Sequence, residues 1–120
     1  MKVFVFGNEY MQNDSSAKRL AKEIVIKGVE FIDCISVSDL FNANEPSPVI
    51  LDVVHGIKKP ILITNIDQLQ APNSSSAHDM DLAFHLKLYK ELGIIKDVRI
   101  IGIPENNVEK EEVKEIIGNL

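Results

Sequence analysis

Five residues, His55-Gly56-Ile57-Lys58-Lys59, separate two strand-like runs, Val49–Val54 and Pro60–Ile66. Parallel neighbours in a sheet need a crossover of about a dozen residues or more, whereas antiparallel strands do not. The fourth strand of this chain is therefore expected to run against the third. Further runs at Lys2–Phe6, Val29–Asp33 and Val98–Ile103 alternate with helix-like stretches, the pattern of a mostly parallel sheet covered by helices. The chain reads as an α/β protein with one reversed strand.

The helical segments follow from their punctuation. Asp14-Ser15-Ser16 offers N-cap chemistry to a helix whose inward face is Ala17, Leu20, Ala21 and Ile24 and which Gly28 ends. A short turn-rich or helical stretch through Ser38-Asp39-Leu40-Phe41 is closed by Pro46 and Pro48. Ser76-Ala77-His78-Asp79 has the capping-box spacing ahead of Leu82, Leu86 and Tyr89, which predicts a helix from near His78 to near Gly93. Pro104 and Asn106-Asn107 then precede a charged last helix, Val108–Ile117, with Val113, Ile116 and Ile117 packing inward.

At 120 residues, 45% hydrophobic and 26% charged, the chain is expected to form a single domain over 1–120 around one core, with no repeat or linker. A net charge of −5 argues against nucleic acid or an anionic membrane as a partner. The apolar start Val3-Phe4-Val5-Phe6 stops at Gly7, far short of a signal peptide or a membrane span, so a cytoplasmic location is expected. The single cysteine, Cys34, excludes an internal disulfide and a cysteine-built zinc site, and fits a reducing compartment. Any metal is then held by oxygen and nitrogen.

Three such donors, Asp14, Asp52 and His78, fall where the chain is expected to meet one rim of the sheet. Open α/β sheets bind ligands outside the carboxyl ends of their strands, where strand order reverses. An order beginning 2-1-3 puts that point between strands one and three. Asp14 follows strand one, and Asp52 is the sole polar residue in the latter half of strand three. If Val98–Ile103 runs parallel to the first three strands, the helix before it must start at their carboxyl rim, which brings His78 there. Two acids facing each other repel, and a cation relieves the repulsion. Each residue also has a plainer reading: Asp14 as a helix N-cap, Asp52 as a partner for amides at a strand end, His78 as a solvated histidine at a helix start.

Other candidates carry less. His78, Asp81 and His85 have i, i+3, i+7 spacing, but a seven-residue step separates the histidines by about 10 Å along a helix, too far to share one ion; a solvated face is expected. Ser74-Ser75-Ser76 lacks the strained elbow of a nucleophilic serine and suits loop and cap chemistry. Cys34 suits core packing at a strand end. Glu109-Lys110-Glu111-Glu112 suits a solvated helix start.

Val5-Phe6-Gly7-Asn8, Asp14 seven residues after that glycine, Leu51-Asp52-Val53-Val54, Ser76-Ala77-His78 and Ile101-Gly102-Ile103-Pro104 occur in the order in which the nickel–iron hydrogenase maturation endopeptidases carry similar motifs. The chain resembles that family from its first strand to its fifth. The resemblance implies a three-layer α/β/α sandwich with a five-stranded mixed sheet of order 2-1-3-5-4 and strand four antiparallel. It also implies a peptidase that removes the C-terminal extension of a hydrogenase large-subunit precursor after nickel has been inserted. By residue match, Asp14, Asp52 and His78 take the metal-contacting and catalytic positions. The nickel is then presented by the substrate, and no organic cofactor is expected. The chain departs from the family pattern in having Asn13-Asp14 for two successive acids, Ala17 for a glycine, and Asp33-Cys34-Ile35-Ser36 for an Asp-Gly-Gly-Thr turn.

Two other functional classes compete. A nucleotide-binding module would use the same crevice, but Gly7 stands alone after strand one, without a Gly-x-Gly-x-x-Gly pattern or a Walker lysine, and Asp14 would repel phosphate. A non-catalytic assembly factor that grips the precursor without cutting it is compatible with the same residues.

Overall fold

The computed structural model describes residues 1–8, 10, 15–65 and 77–120, the first five of the last stretch by backbone alone. Five strands form one sheet: β1 (Lys2–Val5), β2 (Glu30–Asp33), β3 (Val49–Val53), β4 (Ile61–Ile63) and β5 (Arg99–Ile103). Their order is β2-β1-β3-β5-β4. β1 pairs in parallel with β2 and β3, β3 in parallel with β5, and β4 antiparallel with β5. The reversed fourth strand follows from its short connection, as the spacing predicts.

Among the described residues four helices cover the sheet: α1 (Ser16–Glu23), α2 (Val37–Asn42), α3 (Ala77–Glu91) and α4 (Lys110–Gly118). Side chains alternate along each strand, so odd and even positions supply opposite faces. Val3, Val5, Leu51 and Val53 meet Ala17 and Leu20 of α1 and Val113 and Ile117 of α4. Phe4, Phe6, Ile50 and Ile100 meet Leu40 of α2 and Leu82 and Leu86 of α3. The result is the three-layer α/β/α sandwich. β3 is buried along its whole length, because helices cover both of its faces and strands pair along both of its edges.

Several boundaries differ from the sequence reading. α1 stops at Glu23 rather than Gly28, because Ile24 turns extended (ψ 141) to drop its side chain into the core at 4% exposure. The Ser15 carbonyl accepts the Arg19 amide at 3.0 Å, but the Ser15 side chain makes no capping bond to this helix. Instead the Ser16 hydroxyl donates to the Pro104 carbonyl at 2.7 Å, tying α1 to the end of β5. β4 has three residues where Pro60–Ile66 was expected; Ile66 and the capping residue Ser76 lie outside the described residues. The stretch around Ser38–Phe41 is helical. Asp39 braces its start by accepting the amides of Ile35 and Ser36 at 2.8 and 3.2 Å.

Gly7 and Gly102 sit where their geometry requires glycine. Gly7 leaves β1 at φ 112, a conformation that a Cβ disfavours, and turns the chain toward Asn8, whose side chain accepts the Tyr10 amide at 3.0 Å. Gly102 sits opposite Asp52 in the β3–β5 ladder, and a Cβ there would lie 2.6 Å from a Val54 methyl.

Candidate functional site

The carboxyl ends of β1, β3 and β5 form one rim, since these three strands are mutually parallel. α3 is joined to the amino end of β5 by the short stretch 92–98, so its first turn lies toward the same rim, about 22 Å away along a 15-residue helix. The rim is where the sequence reading placed its three donors.

Asp52 is the one among them whose side chain is described. It is the fourth residue of β3, only 4% exposed. The Phe6 amide donates to the Leu51 carbonyl at 2.9 Å, which continues the β1–β3 ladder beyond Val5 and puts Phe6 beside Asp52 on one flank. Gly102 is its partner on the other. Its Oδ1 accepts the Val53 amide at 2.9 Å. By strand alternation it shares the sheet face of Ile50, which α2 and α3 cover. Desolvating a carboxylate is costly unless charge or hydrogen bonds compensate, so this position in an otherwise apolar strand suits a group with a counter-charge or ligand. His78 is the second residue of α3, at the rim end of the helix; its side chain lies outside the described residues, as does Asp14 altogether. Among the described residues, no three His, Cys, Asp or Glu side chains converge to hold a metal ion. Asp52 by itself supplies a buried oxygen donor of the kind that such a site requires.

Two polar arrangements at the rim were not foreseen. Lys18 of α1 is 6% exposed. Its ammonium donates to the Val5 carbonyl at 3.0 Å and the Cys34 carbonyl at 2.7 Å, and pairs with the Asp33 carboxylate. It thus caps the ends of β1 and β2 together. A lysine one step off an apolar helix face reads as solvated, and its snorkelling along the helix to reach strand-end carbonyls has no signature in the sequence. The second arrangement joins the exits of β3 and β5: His55 Nδ1 lies 2.7 Å from Glu105 Oε1, with the imidazole 8% exposed. A cleft of about 540 Å³ opens beside it, lined by Gly56, Ile57, Lys58 and Pro104 to Asn107. A histidine directly after a strand was the available signal.

Of the remaining candidates, Cys34 and His85 are packed into the fold, and Ser74-Ser75-Ser76 lies outside the described residues. Cys34 is buried at 1%, and desolvation, the largest influence, pushes its thiol up to about 11, as expected for a core cysteine. His85 is half-buried rather than solvated, packed edge-on against Tyr89 with ring centroids 6.0 Å apart; the Asp81 side chain lies outside the described residues. Glu109 to Glu111 are exposed at the start of α4.

With this sheet order and these strand directions, the fold is similar to that of solved hydrogenase maturation endopeptidases. Solved structures with this architecture match nearly the whole chain. HybD from Escherichia coli, a hydrogenase maturating endopeptidase, aligns at TM-score 0.68 and 18% identity over 98% of this chain and 90% of its own. The [NiFe] hydrogenase maturation protease HybD from Thermococcus kodakarensis aligns at 0.64 and 20% identity over 99% and 98%. A hydrogenase 3 maturation protease aligns at 0.65 and 18% over 99% and 87%. No protein-family model matches the chain, and no curated protein sequence matches it significantly.

Proposed function

We propose that this protein is an endopeptidase that removes the C-terminal extension from the large-subunit precursor of a nickel–iron hydrogenase once nickel is seated there. The observation that carries the reading is Asp52: a buried carboxylate at the carboxyl end of the central strand, at the rim toward which α3 begins, in a fold shared with hydrogenase maturation proteases along nearly the whole chain.

In this reading Asp14, Asp52 and His78 offer two carboxylates and one imidazole, a donor set suited to a borderline divalent ion. They contact the nickel of the substrate, so an unloaded precursor is poorly held and cleavage checks assembly. Nickel supplies Lewis-acid polarisation at the scissile peptide; the protein's residues orient the loaded precursor and keep the scissile segment at the rim. Water then completes hydrolysis of the C–N bond, leaving a new carboxylate on the subunit and a free amine on the extension. The protein is proposed to act as one domain in the cytoplasm. Among the described residues no helix is long and apolar enough to cross a membrane.

The test is mass spectrometry of a large-subunit precursor after incubation with the protein, with and without nickel. A nickel-dependent loss of C-terminal mass is expected from the parent, and none from His78→Ala or Asp52→Asn, each checked by circular dichroism to be folded. Undiminished cleavage by either variant rejects the site. Capture of the precursor without any shortened product rejects the peptidase and leaves an assembly factor.

A further inference from the structure

We propose that the cleft between the β3–β4 connection and the chain leaving β5 is a peptide subsite, which holds the precursor's C-terminal extension on the nickel-free side of the scissile bond. The inference rests on the endopeptidase reading and adds to it the surface that receives the segment to be released.

The cleft follows from topology. β5 lies between β3 and β4 in the sheet, and β4 runs against the direction that β3 and β5 share. The short connection 54–60 must therefore bridge the carboxyl end of β5. The chain leaving β5 turns out from under that bridge toward α4, which packs with α1 on the sheet face of Val5 and Leu51. A crevice of about 540 Å³ remains between the two, lined by residues 56–58 of the bridge and 104–107 of the departing chain. Its size falls within the roughly 300–1,000 Å³ of ligand clefts. Both walls are held in place. His55 Nδ1 lies 2.7 Å from Glu105 Oε1, with the imidazole 8% exposed, and ties the bridge to the departing chain. The Ser16 hydroxyl donates to the Pro104 carbonyl at 2.7 Å and ties the same chain to α1. A preformed cleft receives a segment without first ordering its own loops.

The chemistry of the lining selects the ligand. Its polar side chains are one ammonium, Lys58, one carboxylate, Glu105, and the exposed carboxamides of Asn106 and Asn107. A phosphate would meet the charge of Glu105, and a divalent cation would meet that of Lys58 with a single carboxylate to hold it. Each carboxamide both donates and accepts, which matches a peptide main chain with one N–H and one C=O at every residue. The ammonium also disfavours the nickel-bearing part of the substrate, leaving the extension as the segment that fits. Gly102 sits opposite Asp52 in the sheet, and Pro104 follows two residues later, so its Cα lies within about 7 Å of that of Gly102. The cleft thus begins beside the buried carboxylate, near enough for one substrate chain to reach both.

The test uses a fluorescein-labelled synthetic peptide carrying the extension sequence, with binding followed by anisotropy and amide shifts followed by NMR. The parent should bind it with shifts concentrated at Ile57, Lys58, Asn106 and Asn107. Lys58→Glu, which reverses the charge of one wall, and Asn106→Trp, which places an indole at the crevice, should each raise Kd at least fivefold. With nickel-loaded precursor the same variants should raise KM at least fivefold and keep kcat within twofold. Both change exposed residues, and Lys58→Glu serves alone if the Trp variant fails to fold. Parental Kd and KM in the variants, or amide shifts confined to other parts of the surface, overturn the subsite. Peptide binding at these amides by a parent that leaves loaded precursor uncut rejects the endopeptidase reading and keeps the cleft. Cleavage by a parent whose cleft amides do not shift rejects the cleft and keeps the peptidase.

Discussion

Gly102→Ala tests the packing around Asp52 from the neighbouring strand. Gly102 lies in β5 directly opposite Asp52 and carries no positive φ, so alanine meets no backbone penalty. In an open strand the change would stabilise by about 0.5–1 kcal/mol, because glycine loses more conformational freedom on folding. Here the new methyl would sit 2.6 Å from Val54 Cγ2 and 3.3 Å from Ile61 Cγ1, against an optimal carbon–carbon separation of roughly 3.5–4.0 Å. Val54 must withdraw by about 1 Å or leave its rotamer, and such overpacking costs about 1–3 kcal/mol. The net expectation is destabilisation by about 1–2 kcal/mol, with Tm lowered by roughly 3–10 °C for a chain of this size. Urea unfolding followed by circular dichroism measures the change, with the m-value held as the check on two-state behaviour. Val54→Ala removes the methyl that is struck, so the double variant should be more stable than the sum of the two single changes predicts, with a coupling of about 1 kcal/mol. A Gly102→Ala protein as stable as the parent, or strict additivity in the cycle, would refute the close-approach argument.

Further outcomes follow from the rim and the core. At pH 8 a thiol at about 11 is roughly 0.1% thiolate, and Cys34 is buried besides; iodoacetamide should leave it unmodified over hours in the native protein and alkylate it within minutes in urea, and rapid native alkylation would contradict its placement. Hydrogen bonds from the Ile35 and Ser36 amides hold the Asp39 carboxyl below its ordinary 3.8. A depressed folded-state pKa stabilises above the unfolded value and the contribution is lost as pH falls through the folded one. Asp39→Asn should therefore lower the urea midpoint at neutral pH, and its gap to the parent should shrink as pH falls below 3.8 through the carboxyl's lowered range; a gap that stays constant with pH would refute the charge argument.

The short apolar runs, the glycine after β1 and the five-residue connection before β4 are local features. Local features determined the element types, the reversed strand and the presence of a lone carboxylate in β3. Backbone sterics and hydrogen-bonding distance act between neighbours in sequence, so they leave a mark there. The exact helix ends were less legible, because the C-terminal limit of α1 is set by Ile24 reaching the core rather than by the glycine downstream. Tertiary structure alone decided that Lys18 is buried, that Ser16 serves the end of β5 instead of capping its own helix, and that His55 meets Glu105. Each of these contacts joins residues 13 to 88 positions apart. Such pairings depend on the assembled rim, where a side chain that would be hydrated in an isolated helix reaches buried backbone carbonyls of Val5, Cys34 and Pro104, or, for His55, a carboxylate at the neighbouring strand exit.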